Sequence, residues 1–403
     1  MNDRDLTIPV WQREQLFPAK PDSAPYGYIT HKKASVEHFT LKEFQQGVLN
    51  ERDGITAVWT PTDPNCVLLE EVPELLEVLK SRTQRLTSED LQSDKRTLFI
   101  FGSVFSIYLV ISIINRGVLF YHDNTTLGIM TIMLVLFGLK PVYESWKALQ
   151  AAKALNQQKL TSEALDARFD VWMEQQPAIV SKVLIIVLII MSVLQFLVPH
   201  PEQFKDGFHF STQVAGLKNN RLMDGAAWRV WTAPFLHGGF LHLFFNCSSL
   251  WFLGKRIENL ARWPHFVMAF IFSAVAGSYC SIYFLPVGKV GVGASGGVMG
   301  LLGFLYIFEL LHPRLAPKPA RRRLIAGFIT MLIIGLLGYN FIDNAAHIGG
   351  LIGGSLYAVI AFHKTDSVRR PIMRKEDWIL GISSAAISMW AIFYAVLKIT
   401  QLG

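Results

Sequence analysis

Three polar clusters interrupt long apolar stretches of the chain, and their residue types are those of acyl-transfer chemistry. The first is Gly293-Ala294-Ser295-Gly296-Gly297, and the second is His347, directly after Asn344-Ala345-Ala346. The third is His242 with Asn246, four residues apart and so on one face of a helix. A serine hydroxyl is a weak nucleophile until a base takes its proton. His347 is that base if its helix packs against the serine's helix. Gly296, Gly300 and Gly303 follow the serine, and Gly350 and Gly354 follow the histidine. Small residues at such spacing let helix backbones approach closely in lipid. A serine at a helix start also sets a developing oxyanion near unpaired N–H groups and the positive end of the helix dipole. Asn246 adds a side-chain donor to that hole and His242 another.

Each cluster also has a plainer reading. Gly-x-Ser-Gly is common, and small-xxx-small is usually packing alone. Gly293 to Gly297 fits the G-x-S-x-G elbow of α/β-hydrolases, but that motif needs a preceding strand in a sheet, which a chain of membrane helices does not offer. His237 with His242 is a potential metal pair without an acidic or cysteine third ligand nearby. Cys247 and Cys280 read as packing residues, and with Cys66 they form no disulfide framework. Asp343, four residues before His347, is either a triad acid that orients it or a loop-surface aspartate, and the second is expected.

The elements that must carry these clusters are membrane spans. Over 403 residues the hydrophobic share is 51%, the charged share 17% and the mean hydropathy +0.32. These values exclude disordered, collagenous and disulfide-stapled classes. Runs free of Asp, Glu, Lys and Arg occupy 97–115, 124–139, 183–201, 230–254, 263–288, 290–308, 324–342, 344–363 and 378–397. A transmembrane helix needs about 20 such residues, and polar groups inside one are costly enough to imply function. The start, Met1-Asn2-Asp3-Arg4-Asp5, has no apolar run behind it, so no cleavable signal peptide is expected and the first span directs insertion.

Orientation follows from the short loops. Lys255, Arg256 and Arg262, then Arg314, Lys318 and Arg321 to Arg323, then Lys364, Arg369, Arg370, Arg374 and Lys375 make alternate loops basic. The connections between them hold little more than Arg116 and Lys289, and the longer 199–229 connection is mixed in charge. By the positive-inside rule the basic loops are cytoplasmic, the N-terminus is cytoplasmic and the C-terminal tail external. The net charge of +7 therefore reads as topology rather than as a nucleic-acid patch.

The expected fold is an all-α polytopic membrane protein with a small α+β cytoplasmic N-terminal module. Residues 1–96 form the module, 97–143 two additional spans, 144–182 a cytoplasmic helical linker, 183–363 a six-span core, and 364–403 a cytoplasmic loop with a last span. In the module, Tyr26–Thr30 and Ile55–Trp59 read as strands. Thr40 with Glu43 opens a helix to Leu49 as a capping box, and Pro73 to Leu79 suggests a second helix. That order resembles a GYF-like adaptor fold. Within 144–182, Trp146, Leu149, Ala152 and Leu155 line one helix face that lies on the membrane surface or packs on the module.

From about 183 to 363 the chain resembles the rhomboid intramembrane serine proteases. The resemblance rests on Trp228-Arg229, Phe235-Leu236-His237, His242 to Asn246, Gly254 with Glu258, Gly293-Ala294-Ser295-Gly296 with Gly300, and Ala346-His347 with Gly350 and Gly354. It implies a six-helix core, a Ser295–His347 dyad with no obligate acid, and an oxyanion hole of His242, Asn246 and the Ser295 N–H. Substrates would be single-span membrane proteins cut near the outer leaflet, with no metal or organic cofactor. Met299 stands where the family often has an aromatic residue against the catalytic histidine. The lipid bilayer and a cytoplasmic protein partner of the module are the other expected partners, in a cell (inner) membrane with the site facing outward. The alternative function is a non-catalytic rhomboid-like chaperone or quality-control adaptor, which the presence of both dyad residues disfavours.

Overall fold

The computed structural model describes residues 8–13, 15–32, 34–116, 125–218, 226–284 and 288–402. The polar start at Met1–Asp5, part of the connection after the first span, and Arg221 and Asp224 of the 199–229 connection lie outside the described residues. The chain divides into two compact units, one of Trp11–Trp172 with Leu336–Phe341, the other of Met1–Val10, Met173–Gly335 and Ile342–Gly403.

The first unit opens with an antiparallel sheet of β1 (Tyr26–Thr30), β2 (Ser35–His38) and β3 (Ile55–Trp59), in the order β2-β1-β3. Tyr28 lies opposite Val36 on one side and Val58 on the other. Helix α1 (Leu41–Asn50) has the expected capping box: Glu43 N–H donates to Thr40 Oγ1 and Thr40 N–H to Glu43 Oε2, both at 3.2 Å. Phe44 and Val48 drop from its inner face into a core with Tyr28, Val58, Leu69 and Leu75. The Tyr28 hydroxyl donates to Glu51 at 3.0 Å, and burial together with that carboxylate pushes the phenol up to about 12.

The expected second helix is much longer than Pro73–Leu79. A 3-10 turn at Pro73–Leu75 runs into α2 (Leu76–Arg116), which crosses position 96 unbroken and contains the first apolar run. Its polar half is built of good helix formers, and its whole length holds one glycine, Gly102, and no proline. Helix α3 (Thr125–Met133) continues through a π-helical stretch, Leu134–Leu139, into α4 (Lys140–Lys153). The wide turn sits where Pro141 withholds the N–H that the Phe137 carbonyl would accept in an α-helix.

The linker is two helices rather than one. The chain breaks after Lys153, and Asn156 Oδ1 accepts from Lys159 N–H at 2.9 Å to start α5 (Gln157–Gln175). Leu155 and Leu160 at that break join the module core, so the packing alternative holds for them, whereas Trp146 is exposed.

The second unit contains α6 (Ile179–Leu197), α7 (Gly207–Ala215), β4 (Leu217–Lys218), α8 (Phe240–Leu260) and α9 (Trp263–Phe284). It continues with β5 (Val290–Gly291), α10 (Ser295–Leu311), α11 (Lys318–Leu337), α12 (Asn344–Ala361) and α13 (Lys375–Leu402). Among the described residues six helical segments are long and apolar enough to cross a membrane: Pro73–Asn115, Thr126–Lys153, Ile179–Leu197, Trp263–Phe284, Asn344–Ala361 and Lys375–Gln401. Ser295–Leu311 is a shorter apolar helix. The run at 290–308 is only partly helical, because β5 and a turn precede Ser295. Ile190, Ile352, Ile360 and Phe393 stand exposed on the outer faces of α6, α12 and α13, a surface suited to an apolar solvent. The protein is a multi-pass, predominantly helical membrane protein.

Helix α10 packs against α9 and α12 at backbone distance. A Cβ on Gly350 or Gly354 of α12 would collide with the carbonyls of Gly296 and Gly300 on α10. The small-residue pattern is thus used for close approach, which also aligns the first turns of α10 and α12. At the opposite end of α10, Arg256 of α8 and Glu309 form a buried, two-pronged ion pair, Nε to Oε1 at 2.7 Å and Nη2 to Oε2 at 2.9 Å. Arg256, counted above among the basic loop charges, is therefore a core residue whose charge Glu309 neutralises. Glu258, the acidic member of the Gly254/Glu258 pair, caps α6: it accepts from Val180 N–H at 3.0 Å, from Ser181 N–H at 2.6 Å and from the Ser181 hydroxyl.

Candidate active site

Ser295 is the first residue of α10, and no side chain caps that helix start, so its leading amides remain as donors. The turn that delivers it requires Gly293, whose φ of 117° lies in the left-handed region. A Cβ at Gly293 would stand 2.5 Å from His242 Cε1 and 3.5 Å from Asn246 Nδ2. His242 and Asn246, one turn apart on α8, therefore both face the Gly293–Ser295 turn. Asn246 is 4% exposed and its Nδ2 has no acceptor among the described residues, which leaves a buried donor beside the serine.

His347 lies in the first turn of α12 and is buried. The residue before it faces the residue after Ser295, since a Cβ on Gly296 would be 3.3 Å from the Ala346 carbonyl oxygen. His242 faces the turn just before Ser295, and Ala346 faces Gly296 just after it. The three sequence clusters thus converge on one place. Among the described residues no hydrogen bond joins Ser295 to His347, and hydrogen bonds between nucleophile and base commonly tighten only on substrate binding.

A small, partly open cavity lies beside Ser295. Gly293, Gly296 and Ala346 line it together with Leu217, Ser278, Ser281 and Asp343. Asp343 is half-buried and engaged on both carboxylate oxygens. Oδ1 accepts from Ala346 N–H at 2.9 Å, capping α12, and Oδ2 accepts from the Ser281 hydroxyl of α9. Its carbonyl accepts from His347 N–H at 3.2 Å. Asp343 is accordingly the N-cap that fixes the histidine's helix rather than a solvated loop residue.

The remaining motif residues frame this centre. Arg229 is buried and donates to the carbonyls of Gln213 and Gly216 at 3.3 and 2.5 Å, and it also lies over the Trp228 ring, 5.0 Å from its centroid. The His237 ring is fully buried 5.2 Å from that of His242. The His237 backbone is clasped by Gln195 of α6, which accepts from its N–H at 3.0 Å and donates to its carbonyl at 3.2 Å. Met299 is buried one turn beyond Ser295, and Cys280 packs against Gly349. Gln195, Ser278, Ser281 and the acid partner Glu309 escaped sequence reasoning. A polar residue within an otherwise apolar run was the signal available for the first three.

The chain matches the Rhomboid domain over residues 224–364. It is 38% identical over 144 residues to Rhomboid protease GluP of Bacillus subtilis (strain 168), an alignment spanning 34% of this chain and 27% of that protein. It is 28% identical over 148 residues to Putative rhomboid protease YdcA of the same organism, spanning 37% and 74% of the two chains. Inactive rhomboid protein 1 of Homo sapiens is also similar, at 31% over 150 residues, with 36% and 17% covered. The match thus covers about a quarter of GluP and less of the human protein. Ser295, His347, His242 and Asn246 all fall inside the matched segment. The segment that resembles the rhomboid proteases thus holds every residue of the candidate centre.

Proposed function

We propose that the protein is an intramembrane serine endopeptidase that cuts transmembrane segments of membrane-protein substrates near the outer leaflet. The observation that carries this reading is the convergence of His242 and Asn246 on the Gly293 turn before Ser295, and of the start of the His347 helix on Gly296 after it, beside a cavity. In the mechanism, His347 takes the Ser295 proton as Oγ attacks the substrate carbonyl. The amides at the start of α10, with Asn246 Nδ2 and the His242 ring, stabilise the oxyanion. Collapse of the tetrahedral intermediate returns the proton from His347 to the leaving amine, and water then hydrolyses the acyl-serine by the same two residues. The buried, unaccepted Asn246 donor supports its assignment, because such a group is costly unless a reacting oxygen engages it. The module and the basic loops would be cytoplasmic in a cell (inner) membrane, the site would face outward, and the module would bind a cytoplasmic protein partner.

A test uses purified protein in liposomes with a single-span reporter. Wild type is expected to cut it, and Asp343→Asn is expected to lose only about 10-fold or less, far from the roughly 10⁴-fold of a disabled triad acid. A loss of the larger size would make Asp343 a triad member and sink the dyad.

The second reading is a non-catalytic rhomboid-like chaperone or quality-control adaptor, favoured by the similarity to a human protein named as inactive. A client bound equally by wild type and Ser295→Ala, and cut by neither, would select it.

A further inference from the structure

We propose that α13, which lies beyond the matched residues 224–364, positions the Ser295 turn through an aromatic brace, and that Tyr394 is its positioning residue. Its kinetic consequence rests on Ser295 being the nucleophile, but the brace itself does not.

One face of α13 is buried in the second unit, where Ala395 and Ile399 pack with Met191, Phe210, Ala215 and Leu236. Beside that face, Trp390 stacks on Tyr394 at 5.4 Å, and the Tyr394 ring meets Trp228 edge-on at 5.2 Å. Lys398 lies over the Tyr394 ring. Trp228 also carries the Arg229 guanidinium, 5.0 Å from its centroid. Such contacts fix ring orientation as well as adding attraction. Arg229 in turn donates to Gln213 and Gly216, and Thr232 donates to Ala215 at 2.9 Å, so the carbonyl end of α7 is held from this one segment.

Strand β4 begins at the next residue and pairs with β5, Leu217 opposite Gly291 and Lys218 opposite Val290. Gly293 N–H then donates to the Ala233 carbonyl at 3.0 Å, two residues before Ser295. The succession is continuous: Tyr394 seats Trp228, Trp228 seats Arg229, Arg229 ends α7, and the end of α7 sets the strand that sets the serine turn. Substituting Tyr394 leaves every residue of the candidate centre in place, so it isolates the brace. Among the described residues the Tyr394 hydroxyl makes no hydrogen bond, so the ring alone does this work and phenylalanine replaces it.

The test is hydrogen exchange on the full chain in detergent, comparing wild type, Tyr394→Ala and Tyr394→Phe. Tyr394→Ala is expected to speed exchange in peptides covering 217–218 and 290–293 by about 10-fold, the scale of the ring contacts removed. Exchange within α10 from Val298 to Leu310 should stay unchanged, and Tyr394→Phe should match wild type. Unchanged exchange at 217–218 and 290–293 overturns the proposal. So does a rise that extends through α10, since α13 would then be a general staple, and so does equal loss in the phenylalanine variant. In the reporter assay Tyr394→Ala should lower kcat about 10-fold with KM within about 2-fold, and Tyr394→Phe should restore it. If wild type does not cut the reporter, the nucleophile assignment fails and the exchange pattern still decides the brace.

Discussion

Ser295→Ala and His347→Ala are each expected to reduce reporter cleavage by about 10⁴-fold or more while membrane insertion and thermal unfolding stay close to wild type. The magnitude follows from serine and base acting as a unit, where removing either costs nearly as much as removing both. The double variant should therefore be no worse than the singles. Ser295 is half-buried at a helix start, and what aligns its helix with that of the buried His347 is the glycine approach at Gly296 and Gly350. Substantial cleavage by either purified single variant would remove that residue from the dyad. A parallel loss of folding in both would instead show that they hold the helices together.

The second large effect is on stability. Arg256→Ala leaves Glu309, which is fully buried, without its two-pronged partner, and breaking a buried pair in this way costs about 3–5 kcal/mol. Thermal unfolding in detergent should fall accordingly, and activity should follow the folded fraction. The double variant Arg256→Met/Glu309→Leu should recover most of the loss, since apolar replacements of similar volume carry no desolvation cost. If Arg256→Ala unfolds like wild type, the pair is not structural. If the double variant is as unstable as the single, the loss lies in packing or in the Arg256 bond to the Ala320 carbonyl at 3.2 Å.

What the sequence made legible was local. The strands at Tyr26–Thr30 and Ile55–Trp59 and the Thr40–Glu43 capping box appear as expected, because each is dictated by residues within a few positions. Most of each apolar run is helical for the same reason, although 290–308 opens on β5 and 230–254 becomes a long helix only from Phe240, and the glycines after Ser295 and His347 announced the α10–α12 approach. Pairings between distant residues were hidden. Arg256 and Glu309 lie 53 positions apart, Gln195 and His237 lie 42 apart, and only the packed helices bring each pair together. Strand β2, with the sequence Ser-Val-Glu-His, lacks the alternation that marks a half-buried strand, and its pairing with β1 decides it. Asp343 was readable in principle: an aspartate just before a helix is a preferred N-cap. The expected loop-surface aspartate is instead half-buried, because its second partner, the Ser281 hydroxyl, lies 62 positions away and only the packed helices bring it close. The unbroken run of α2 across position 96 shows the complementary limit. A change from polar to apolar composition marks a change of solvent, and helix propensity carries the same element through both.

The most direct test of the central claim is fluorophosphonate labelling of the purified full chain, with Ser295→Ala and His347→Ala beside it and the modified residue located by mass spectrometry. A covalent adduct on Ser295 is expected in wild type, none in Ser295→Ala and a strongly slowed reaction in His347→Ala, because only a serine with a base attacks phosphorus readily. An adduct on another residue, or equal labelling of wild type and Ser295→Ala, would contradict it. No labelling of well-folded wild type would contradict it as well, and would leave the scaffold reading in its place.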